Sequence, residues 1–163
     1  MDRNNLPGPG GIMNGKSLAL AVIIIIAGFS ITMFGAYEAE EKLSIPADGI
    51  DKLVIECGAG FLKLRGVEGL KKIEVIADIH VSSKNRDNIK LSLKKKGEKA
   101  VLISKLKKGF ISFGSNRIDL TVKVPAEMKL DIDDGSGSIE IHDTRGNLIL
   151  DDGSGSLSIS DAV

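Results

Sequence analysis

Tryptophan is absent from this chain of 163 residues, tyrosine occurs once and phenylalanine five times. A globular α/β enzyme carries more aromatic bulk than that. Nineteen glycines with abundant Ile, Leu and Val suit short stacked strands joined by tight turns instead. Cysteine occurs once, as Cys57, so no intramolecular disulfide can form. In an oxidising compartment, stability would have to come from backbone pairing and a packed core. Cys57 lies about twenty residues beyond the apolar N-terminal segment, too far to be the acylated cysteine of a lipoprotein. It reads as a small half-buried residue of a strand or turn. Net charge is also missing, at zero, which removes any overall attraction to nucleic acid. The charge is unevenly spread, with ten Lys or Arg against two acids in residues 81–108, and nine acids against Lys129 and Arg145 in residues 125–163.

One long run stands out. Residues 18–36, LALAVIIIIAGFSITMFGA, hold no charge. As a helix they span roughly 28 Å, close to one hydrocarbon core. Arg3 and Lys16 precede the run and Glu38, Glu40 and Glu41 follow it, an asymmetry that places residues 1–17 in the cytoplasm and everything after Tyr37 outside. The reading is an uncleaved single-pass anchor over 18–37, with a cleaved signal peptide, initiated at Met13, as the alternative. Small residues at both −3 and −1 are hard to place, because Phe34 or Tyr37 falls at −3. Gly10 to Ser17, GGIMNGKS, matches the phosphate-loop pattern letter for letter. That chemistry needs a buried strand before the loop and a soluble helix after it, and neither is present here.

Residues 38–49 read as a charged linker, and from Ile50 onward the apolar residues alternate with period two: Leu53 and Ile55, Leu62 and Leu64, Ile73 and Val75, then Ile118 to Val124. Lys94 to Lys99, KKKGEK, reads as a hairpin tip. No helical period persists after residue 40. The decisive feature is a repeat. DDGSGSIEI at 133–141 recurs as DDGSGSLSI at 151–159, and a nine-residue step underlies it. Asp134, Asp143, Asp152 and Asp161 share that step, as do Gly137, Gly146 and Gly155, and Ile132, Ile141, Leu150 and Ile159. Leu53, Ile55, Gly58, Gly60, Leu62 and Leu64 superpose on Leu130, Ile132, Gly135, Gly137, Ile139 and Ile141. A unit of one short strand and one turn cannot bury its apolar edge alone, so units must stack. The predicted fold is all-β: a short, parallel β-helix-like β-solenoid over residues 50–163, with 18-residue coils of two nine-residue units, preceded by one transmembrane helix.

These residues carry a resemblance. The Gly58-Ala59-Gly60 strand pair, the IDLTVKVP strand at 118–125 and the repeated GSGSIEI and GSGSLSI are similar to the bacterial "putative adhesin" family of cell-envelope domains, over about residues 50–163. The resemblance implies a β-helix-like fold at the cell surface and a role in adhesion or envelope-stress sensing. It supplies no catalytic residues and no cofactor.

Chemistry at particular residues is sparse. Calcium-binding nonapeptide rolls need an Asp where this chain has Ile139, Leu148 and Leu157, so a metal held between turns in that style is excluded. A looser surface cation site remains open at Asp133, Asp134, Asp151 and Asp152, where an 18-residue coil would stack carboxylate on carboxylate. The basic stretch Lys90, Lys94, Lys95, Lys96, Lys99, Lys105, Lys107 and Lys108 either protects an edge from pairing or meets an anionic lipid or polymer. No aromatic platform is interleaved with it, so single-stranded nucleic acid is not expected as a partner. His80 and His142 stand apart, and no nucleophile elbow is present. The expected function is a non-catalytic, membrane-anchored adhesin or envelope scaffold whose partners are the membrane, through residues 18–36, and an envelope protein or polymer. The alternative is an envelope-stress sensor whose outer domain binds a regulator or peptide. Nothing in SLSISDAV resembles a cap, so the last strand is expected to be an open edge that pairs with another copy or with further units.

Overall fold

The structure, a computed structural model, describes residues 30–33 (backbone only), 35–107 and 116–162. Among the described residues it is all-β apart from one 3₁₀ helix, Ser83–Asn88. The strands are β1 Ser30–Met33, β2 Ala36–Pro46, β3 Lys52–Val67, β4 Lys72–Ser82, β5 Ile89–Lys96, β6 Lys99–Leu106, β7 Arg117–Pro125, β8 Lys129–His142, β9 Leu148–Asp152 and β10 Gly155–Ser160. All ten belong to one sheet.

β3 and β8 form its centre. They run parallel with Leu53 beside Leu130, Ile55 beside Ile132, Gly60 beside Gly137, and Leu62 and Leu64 beside Ile139 and Ile141. This is the alignment that the older copy of the repeat predicts. β8 then carries β9 along its first half and β10 along its second, also parallel, with Leu130 beside Leu148, Gly137 beside Gly155 and Ile141 beside Ile159. The 18-residue step of the sequence is therefore a physical step from strand to strand. On the opposite side of β3, β6 pairs its first half and β7 its second, again parallel. Each long strand bends at its glycines, so the ladder Leu53, Ile55, Cys57 and the ladder Leu62, Leu64 both point into one core.

The rest of the sheet departs from a uniform stack. β5 pairs β6 antiparallel, and β4, β2 and β1 follow β7 antiparallel in that order. β2 reaches β5, so the sheet almost closes on itself like a barrel. Residues 38–46, expected as linker, are strand β2. Ala39, Leu43 and Ile45 face the core, while Glu40, Lys42 and Ser44 alternate with the last two on the outside. Glu41 shares the core-side face, half-buried beside Ala77, while Glu38, Glu40 and Lys42 lie on the other, and this mixed run reads by composition as a linker. Residues 30–33, 36 and 37 were expected inside the membrane helix and are strand instead, joined near Gly35 at φ +83°. Among the described residues no helix is long and apolar enough to cross a membrane. Residues 1–29, with the GGIMNGKS motif and most of the apolar run, lie outside the described residues.

Candidate functional site

β10 is paired on one side only: among the described residues β8 flanks it and nothing lies beyond. The apolar ladder continues onto β9 and β10 without full cover from the other described residues. Ile139 and Ile141 are buried, whereas Leu157 and Ile159 beside them are 48% and 42% exposed. On β9, Leu148 and Leu150 are half-buried against the core and Ile149 is 59% exposed. Leu150 is only partly covered: among the described residues β9 pairs with β8 alone. The sequence of β10, GSLSIS, carries no charge. The edge strand β5, by contrast, holds four lysines in eight residues, the usual protection against unwanted pairing.

Four aspartates were expected to share a cation site, and the structure divides them. Asp133 stacks on Asp151 and Asp134 on Asp152, as the coil length predicts. The first pair is exposed. Asp134 is buried and Asp152 half-buried, because strand side chains alternate between faces. The inward pair continues a column of register partners, Ser104, Cys57, Asp134 and Asp152. Ser104 Oγ, Asp134 Oδ2 and Asp152 Oδ1 are buried without hydrogen-bond partners. Burial pushes the Asp134 carboxyl above the usual carboxylate range; the Cys57 thiol donates to it and pulls the other way, and the Asp152 charge raises it further. Burial likewise pushes the Cys57 thiol up, with the Asp134 carboxylate adding to the effect. Among the described residues no group of three or more His, Cys, Asp or Glu is placed to hold a metal ion.

One constellation was not foreseen. His142 Nδ1 lies 2.5 Å from Ser160 Oγ, and His142 Nε2 lies 2.7 Å from Glu140 Oε1. This hydrogen bond holds the Glu140 carboxyl below its usual range, with Lys63 at 3.4 Å adding to it. The order serine, histidine, carboxylate is that of an acyl-transfer site. Here the serine sits on an open edge strand rather than a strained turn, and the imidazole ties β10 to β8. The 18-residue spacing of His142 and Ser160 was the signal available for it. At the neighbouring corner, Asp143 and Asp161 share left-handed backbone, φ +56° and +54°. Arg65 Nε donates to Asp143 there at 2.7 Å, while Arg145 bonds Glu127 and Glu68.

The basic stretch is dispersed. Lys90, Lys94 and Lys96 lie along β5, with Lys99 and Lys105 on β6. Lys95 Nζ donates to the Asp48 carbonyl at 2.6 Å, Lys105 pairs with Glu56 at 3.2 Å, and Lys107 Nζ donates to the Asp87 carbonyl at 3.4 Å. Lys108 lies outside the described residues.

No protein-family model and no curated protein matches the chain. Among solved structures it is similar to a "putative cell adhesion protein" from Clostridium sporogenes, at 18% identity and a TM-score of 0.44, over 64% of this chain and 50% of that one. The chain thus spans about half the length of that protein. A likeness this remote carries no argument about function.

Proposed function

We propose that the chain is a non-catalytic, membrane-anchored β-solenoid-like domain standing outside the cytoplasm, an adhesin or envelope scaffold that joins to a second copy of itself through its β9–β10 edge. The observation that carries this reading is the β9–β10 edge. It exposes Leu157 and Ile159 beside a row of unpaired backbone groups, and β10 lacks the charges that guard β5. A second copy fits because a two-fold axis normal to the sheet sets β10 against β10 and β9 against β9, antiparallel, apolar ladder continuing apolar ladder. Covering each half-exposed Leu or Ile contributes about 1 kcal/mol. Against the rigid-body cost of association this gives a weak pair, on the order of micromolar or looser. Many copies anchored in one surface would add avidity. The basic flank before the apolar run and the acidic flank after it support the outside location. A reporter fused after Asp48 tests that part: activity only in the cytoplasm overturns it.

A further inference from the structure

The strand order brings together lysines that the sequence keeps far apart. Lys96 pairs with Lys99, Lys99 with Lys52, and Lys52 with Lys129, so one residue from each of β5, β6, β3 and β8 forms a straight row across the sheet. All four lie on its outer face, since Leu53, Ala100 and Leu130, the next residues along, are buried. Adjacent strands are about 4.8 Å apart, so the row runs roughly 14 Å with neighbours well inside a Debye length of about 8 Å. Like charges set directly opposite on a sheet disfavour each other. Two carboxylates answer the row, Asp131 to Lys52 and Asp51 to Lys129, each at 3.2 Å. Lys96 and Lys99 form no ion pair with any described residue, and Lys94 extends the charge along the same face.

We propose that this row, Lys96–Lys99–Lys52–Lys129, binds a linear phosphate-bearing polyanion laid across the strands. The distribution of acids selects a line over a plane. Glu56, Asp131, Asp133 and Asp151 occupy the same outer face further along β3, β8 and β9. An anionic membrane lying flat on the sheet would be repelled by them, whereas a thread following the row meets ammonium groups. Lysine suits this ligand because each ammonium is a compact point charge with three rotatable donors.

The test uses the full-length chain in neutral detergent, titrated against fluorescent inorganic polyphosphate across a range of salt. Binding is expected, with log affinity falling against log salt at a slope of about −3, near 0.7 for each of four lysines. Lys96→Glu with Lys99→Glu should weaken binding by about tenfold or more while the Tm holds or rises, as like-charge repulsion is relieved. Lys42→Glu with Lys123→Glu, away from the row, should bind as wild type. Absence of binding at low salt, or undiminished binding by the Lys96/Lys99 variant, overturns the proposal. So does binding to phosphatidylserine vesicles without binding to polyphosphate. The site does not depend on self-association: the Lys96/Lys99 variant should still pair through β10, so the two proposals fail separately.

Discussion

Gly137 lies directly beside Gly60, so close that a Cβ on Gly137 would occupy the space of the Gly60 carbonyl oxygen. Gly155 repeats the relation against Gly137. Both Gly137 and Gly155 have φ near +150°, a conformation other residues resist. Their role is close backbone approach at the bend of the sheet. Gly137→Ala should therefore cost about 3 kcal/mol or more, from clash and backbone strain together. Gly69→Ala, in an open turn at φ +70° with nothing near its missing Cβ, should cost about 1 kcal/mol. Urea unfolding of the two variants measures the difference, and equal losses would argue against the glycine column.

Ile141 is fully buried and Glu140, its neighbour in sequence, lies on the outer face. Ile141→Asp loses apolar burial and places an unpaired charge in the core, roughly 4 kcal/mol of destabilisation. Glu140→Ala should change the Tm little. Matching melting temperatures for the two would contradict the register.

Asp134 predicts a pH dependence of definite sign. Its carboxyl is raised above the usual range by burial, with the Asp152 charge adding to the effect, so the folded state holds the proton more tightly than the unfolded chain. The stability it contributes is fully present below the ordinary carboxylate pKa and is lost as pH rises through the elevated folded value. Asp134→Asn keeps the neutral form at all pH. It should raise the Tm at neutral pH and flatten the fall in stability above the acid range. A wild-type Tm that climbs through this range, and climbs equally in the variant, would remove Asp134 as the cause.

The parallel centre was legible because it is written as a repeat. Leu53 to Leu64 and Leu130 to Ile141 agree at six positions, and the 18-residue step located β9 and β10. The antiparallel flank was not, because β2 and β4 repeat nothing and Glu38 to Lys42 looked like a solvated linker. Their partners are chosen by the shape of the core, where Leu43 meets Val75 and Ile45 meets Ile73. The lysine row was hidden for a related reason. Lys52 and Lys129 are separated by 77 positions and become neighbours only when β3 meets β8. The inward turn of Asp134 was readable from strand alternation, one residue beyond outward-facing Asp133, but the shared DD motif drew both into one site.

The central claim is self-association through the open edge, and sedimentation equilibrium of the full-length chain in neutral detergent tests it most directly. Wild type should shift from monomer toward dimer as concentration rises through the micromolar range. Leu157→Lys with Ile159→Lys places charges on β10 at side chains already about half exposed, so the fold should survive with little change in Tm. That variant should remain monomeric over the same range. A wild-type chain that stays monomeric throughout, or a double variant that dimerises as strongly as wild type, would contradict the account.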